Sequence, residues 1–214
     1  MMHDTLDDVA ARPWSSELEA LVRPYRVFTR LAAARATSSA LVLLGRRPLL
    51  LLLAIATFVS YTASGRLVLG HVAWSVVGWA FLPLLQVVGL ALTLVVVGRA
   101  ARLRELPRLV DLHFVTRAPW LVFLVIFLIV HQLFIDPRAS FFSVFLNGAV
   151  PIAIVVVATW CRVLEHAFWR AALDLPRWRA VLAVIVGDLV VFGPGIGWYL
   201  ATEQLQPLLG GEGM

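Results

Sequence analysis

Lysine is absent from this chain, cysteine occurs once, and fewer than one residue in six is charged. Each shortage excludes something. The lone Cys161 rules out an internal disulfide and a multi-cysteine metal site, and in its hydrophobic run it reads as a small apolar side chain. A charged fraction of 14%, against roughly 25% in a soluble domain, means that most of the chain does not face water. All 18 basic residues are arginine, which reads as a GC-rich coding bias and only weakly as a preference for phosphate or headgroups. Catalytic signatures are missing as well. There is no His-Glu-x-x-His, no Gly-x-Ser-x-Gly, no phosphate-binding loop and no glycine-rich dinucleotide turn. Asp188, His131 and scattered serines include no pair with the spacing of an intramembrane protease. The expectation is a protein that is not an enzyme, without catalytic residues, metal or cofactor.

What the chain has is hydrophobic length. Hydrophobic residues make up 61% of it and the mean hydropathy is +0.88. A bilayer span needs roughly 20 apolar residues, and five runs qualify, at about 48–64, 72–98, 118–135, 141–162 and 180–201. Pro48 and Pro119 open the first and third of these, where proline is tolerated. Pro83 and Gly89 are expected to bend the second run, and Pro151 the fourth. Trp74 and Trp79 suit an outer interface. The fold class predicted is all-α, a polytopic membrane domain over 48–202 with an N-terminal segment 1–47 and a short tail 203–214.

The arginines orient it. Sixteen of them fall in the N-terminal segment and in the second and fourth loops, and two in the first and third loops. Positive charge stays on the cytoplasmic side, so the N-terminus is predicted to be cytoplasmic and the C-terminus to lie opposite. The same placement makes nucleic acid an unnecessary partner for the formal charge of +5. Residues 1–19 are acidic and polar without an apolar core, so no leader is expected to be removed. Within 25–44, Arg26, Arg30 and Arg35 alternate with Val27, Phe28, Leu31 and alanines. That pattern suits either an amphipathic helix on an anionic membrane surface or a plain lead-in whose arginines only fix orientation.

The polar exceptions are the candidate sites. Asp188 stands in the middle of the last run, where an ionised carboxylate costs about 2.5–3.5 kcal/mol. By helical rise it lies roughly 15 Å in from Trp178; His131 lies about 18 Å in from Pro119, and Gln86 roughly 18 Å back from Gly98. The three are therefore predicted to form an intramembrane polar layer, with Asp188 bonded to His131, to Gln86, or to both. Gly193, Pro194, Gly195 and Gly197 predict a helix break or a close helix contact. Arg162, Glu165 and His166 share a helix face at the cytoplasmic end of the fourth run, either as local pairing or as a contact for a partner or headgroup. Asp111 and His113 are two apart and do not face each other, which argues against a metal site.

Several stretches together resemble the YIP (Ypt-interacting protein) family, in particular its short bacterial members. An arginine-bearing segment at Tyr25–Leu31 precedes the first run, and Leu106-Pro107-Arg108 leads to a third run opened by Pro119. The fourth loop leads from Trp160 to Leu175-Pro176-Arg177-Trp178-Arg179-Ala180. The Asp-Leu-Tyr-Gly-Pro stretch of the eukaryotic branch is absent, so Rab-GTPase or coat binding does not carry over. The resemblance implies a five-span bacterial inner-membrane protein with no known catalytic residues. The function expected is that of an interaction or membrane-organising component, partnered by the lipid bilayer and by another membrane protein or a second copy. The alternative is a small transporter or channel subunit with Asp188 in a proton or ion path.

Overall fold

The structure is a computed structural model. It describes the backbone of residues 13–34, 39–64, 68–134 and 140–209, and side chains within 16–34, 39–61, 68–130 and 148–194. Among these residues the chain forms nine α-helices, one 3-10 segment and no strand. Two short helices, α1 (Pro13–Val22) and α2 (Pro24–Ala33), precede the long α3 (Ala40–Ser64). Next come α4 (Leu69–Trp79) and α5 (Phe81–Val96), then the 3-10 segment Ala100–Glu105 and α6 (Leu106–Val115). The set closes with α7 (Ala118–Phe134), α8 (Ser140–Ala171) and α9 (Arg177–Leu209).

Three helical stretches are long and apolar enough to cross a membrane: Ala40–Tyr61, Leu69–Val96 and Gly148–Ala171. A fourth is counted if α6 and α7 with the 3-10 segment, bent by 45°, make one span. The expected fifth, α9, is not among them; its described part carries Arg177, Arg179 and Asp188. At most a third of each of the three apolar windows is buried. Their side chains point outward instead, as at Leu49, Trp74, Leu84, Val95, Ile152 and Val155. This inverts the usual soluble pattern, in which a large exposed apolar patch is the exception.

The second run breaks where its proline dictates. Pro83 has no N–H to give the Trp79 carbonyl and its ring crowds that carbonyl, so α4 stops at Trp79 and α5 begins at Phe81. Gly89 does not interrupt α5. It admits α9, because a Cβ there would stand 3.2 Å from Val191 Cγ2. Thr93 turns its hydroxyl back to the Gly89 carbonyl at 2.7 Å, and Gly187 of α9 lies against Thr93. The close helix contact expected at Gly193–Gly197 is found earlier along α9, between α5 and the Gly187–Val191 stretch.

Three expectations are corrected. The break at Gly193–Gly197 does not occur, since α9 runs through Pro194, and among the described residues nothing lies within 4 Å of where a Cβ at Gly193 would stand. Side chains at Gly195, Gly197 and His131 lie outside the described residues. The predicted amphipathic helix over 25–44 is shorter, and its apolar face is taken: Val27 and Phe28 of α2 are fully buried, Phe28 edge-on to Phe168 of α8. Arg108 caps this helix by donating to the carbonyls of Leu31, Ala32 and Ala34, the groups left open at a helix end. Finally, the basic second loop is no loop. Every residue from Leu109 to Pro119 is buried, and α6 packs against α3 at the centre of the molecule.

Candidate functional site

Burying α6 and the turn after it takes Asp111, His113 and Arg117 into the interior, and each charge must be met there. Two networks meet them. In the first, Asp111 accepts two parallel bonds from Arg46, Nε to Oδ1 at 2.8 Å and Nη2 to Oδ2 at 2.7 Å. Arg47 donates to the same carboxylate and to the Asp111 carbonyl. Its Nε donates to Glu17 Oε1 at 2.6 Å and its Nη2 to Ser16 Oγ at 3.2 Å. Glu17, Arg47, Asp111 and Arg46 thereby alternate in sign and tie α1, α3 and α6 together. Such bidentate, charge-assisted bonds are the strong class. A small cavity of about 30 Å³ lies alongside, walled by these arginines, Glu17, Leu51 and Phe114.

The second network starts from Gln86 on α5, whose Oε1 accepts from Arg117 Nε at 3.2 Å. Arg117 pairs with Glu165 of α8 at 2.5 Å, both side chains about 5% exposed. Glu165 pairs in turn with Arg162, one turn back, at 3.2 Å. Arg162 Nε then reaches Asp188 of α9 at 2.7 Å, with these two side chains 29% and 32% exposed. The guanidinium also lies over the Phe192 ring, 5.4 Å from its centroid. The chain Arg117–Glu165–Arg162–Asp188 is again alternating and neutral, but it is graded, from a sealed centre to a half-open end.

The predicted site residues are therefore partly reunited. Asp188 needs a partner, and the structure gives it Arg162; the expected direct bond to Gln86 is replaced by a path through Arg162, Glu165 and Arg117. The reason is helix length. Because α8 continues to Ala171, Arg162 and Glu165 belong to the bundle and not to a loop. The Arg162–Glu165–His166 triplet does not act as one face. His166 turns away to Tyr25, its Nδ1 2.8 Å from the Tyr25 hydroxyl, while Glu165 turns inward.

Five charged participants were missed by sequence reasoning: Glu17, Arg46, Arg47, Asp111 and Arg117. The signal for Asp111 was available, since it is a lone acid in Leu109–Val115, the same anomaly that marks Asp188. His113 sits two residues on, buried against Phe168 with ring centroids 5.4 Å apart, its Nδ1 without a hydrogen-bond partner among the described residues. It lines a cavity of about 10 Å³ together with Gln86, Thr93, Arg117 and Glu165, room for about one water. Among the described residues no cluster of three or more His, Cys, Asp or Glu is arranged to hold a metal. Comparison with family models, with curated proteins and with solved structures finds no match for this chain.

Proposed function

We propose that this is an integral protein of a bacterial inner membrane, with five spans, a cytoplasmic N-terminus and an outward C-terminus. It is non-catalytic and works by assembling with another membrane protein or a second copy of itself. The observation that carries this reading is the Arg162–Asp188 pair. It sits roughly 15 Å along α9 from Trp178, on an outer face that is otherwise apolar. Ile185, Leu189 and Phe192 flank it on α9, and Val155 and Val156 lie about two turns before Arg162 on α8, all exposed, with the Thr159 hydroxyl between them tied back to the Val155 carbonyl. A charge at that depth against hydrocarbon costs about 2.5–3.5 kcal/mol, even though pairing lowers the cost. A protein surface over this seam removes the exposure. The arginine distribution supports the orientation, and the resemblance to short YIP-type proteins points the same way.

A photo-activatable side chain at Leu189 is expected to give one discrete protein adduct in membranes, its mass distinguishing a second copy from another protein. The same group at Ile126, on the exposed side of α7, is expected to give none. Equal yields, or only lipid adducts from Leu189, would count against the reading. The orientation is checked by cysteines placed at Thr5 and Gly211 in a Cys161→Ala background. The first is expected to react only from the cytoplasmic side and the second only from the opposite side; reaction of both from one side excludes an odd span count.

One observation favours a second reading. The charges running inward from Asp188 end beside the His113 cavity, as a proton path of a small transporter would. In that case Asp188→Asn preserves folding and assembly and abolishes a proton flux measured in proteoliposomes; in the favoured reading there is no flux to lose.

A further inference from the structure

The end of α5 and the start of α9 frame an open groove of about 180 Å³, lined by Val96, Val97, Gly98, Trp178, Arg179 and Leu182. Its shape follows from how α5 stops. Gly98 takes φ +75, its N–H bonds the Val95 carbonyl and the Arg99 N–H the Leu94 carbonyl, at 3.1 and 2.7 Å. That paired pattern is the left-handed helix ending for which glycine is favoured. With no side chain at Gly98, nothing among the described residues stands within 4 Å of where its Cβ would be, so they leave the mouth of the groove clear.

The walls are of two kinds. Val96, Leu182 and the Trp178 ring are exposed apolar surface, Trp178 at 63%. Arg179 lies over Trp178, its guanidinium carbon 5.0 Å from the ring centroid. Among the described residues no carboxylate pairs with Arg177 or Arg179. Arg99, next to Gly98, gives one N–H to the Asp174 carbonyl at 2.9 Å. Asp174 is the acid nearest in sequence, and it leaves the balance of these residues positive. An unpaired guanidinium fixed on an indole, with apolar surface below it, matches a ligand that is anionic at one end and aliphatic at the other. The arginine-rich side of a membrane protein presents such a group at this level.

We propose that this groove binds an anionic phospholipid of the bilayer, its phosphate on Arg179 and its glycerol and first acyl carbons against Val96, Trp178 and Leu182. The proposal rests on the membrane reading above. The test uses the full chain in nanodiscs of mixed phosphatidylglycerol and phosphatidylcholine, released for native mass spectrometry that counts retained phosphatidylglycerol. Arg179→Gln is expected to lower retention about fivefold, with Trp178→Leu acting in the same direction. Arg26→Gln, which removes an exposed arginine from α2, is expected to leave it unchanged. No loss in Arg179→Gln, or equal loss in Arg26→Gln, overturns the proposal. Displacement of the lipid by excess inorganic phosphate also overturns it, marking a site for free phosphate. Alkaline extraction of the same membranes separates the two levels. A chain that resists extraction yet keeps no phosphatidylglycerol sinks only the groove, whereas a chain that is extracted sinks the membrane reading with it.

Discussion

The Glu17–Arg47–Asp111–Arg46 network and the Arg117–Glu165–Arg162–Asp188 chain have the same composition, two acids and two arginines in alternation, and differ in what is exposed at the end: in the first only Arg46, at 34% and bonded to a buried acid, in the second both members of the last pair. Asp111 is gripped by two guanidiniums and is 6% exposed, while Arg47 is held by Glu17, Ser16 and Asp111 at 8%. Both central groups are closed off by protein. In the second chain the inner pair is as well buried, but the outer pair is about 30% exposed beside Ile185, Leu189 and Phe192. Closed pairing of this kind holds helices in register, and what it contributes is lost when one member is removed, because the other is left as an uncompensated buried charge. An open end tolerates change in the protomer and matters to whatever lies outside it. The contrast separates a clamp from a contact.

A graded series of substitutions sharpens that contrast, read as thermal unfolding in one mild detergent. Asp111→Ala is expected to have the largest effect, about 3–5 kcal/mol, since it takes an acid from two arginines at once, leaving Arg46 with none and the buried Arg47 with Glu17 alone. Glu165→Ala strands Arg117 and comes next, near the lower end of the same range at about 3 kcal/mol. Asp188→Asn is expected to cost less than about 1 kcal/mol, as for a partly exposed pair, because Arg162 keeps Glu165 and the amide oxygen still accepts a bond. An order in which Asp188→Asn exceeds Asp111→Ala would remove the distinction between the two regions.

How much of this could be read in the sequence follows from which interactions are local. Helical runs are local, so α7 begins at Ala118 as Pro119 indicates, and the split before Pro83 follows from one missing N–H. Depth along a helix is local too, and it marked Asp188 and Gln86 as groups in need of partners. Partner choice is not local. It depends on which way each helix faces and on where helices stop, and α8 running on to Ala171 is what delivers Arg162 to Asp188. The Arg46-Arg47 pair was read as a topology signal because arginines before an apolar run usually are. Its second role requires α6 to dock beside α3, a contact across more than sixty residues of sequence. Charge in Arg99–Arg117 similarly argued for a loop, whereas the structure hides Asp111, His113 and Arg117 by pairing or packing them.

The central claim, that the half-open end of the second chain serves assembly, is tested most directly by weighing the particle. Native mass spectrometry or light scattering of the protein extracted in mild detergent gives the mass of the wild type and of Asp188→Leu, and a melting curve is taken on the same samples. The account predicts that the wild type leaves the membrane as an assembly larger than one chain. It predicts that Asp188→Leu yields mainly the single chain, still cooperatively folded and much less destabilised than Asp111→Ala. A wild type that is a single chain with nothing bound, or an Asp188→Leu assembly of unchanged mass, would contradict it.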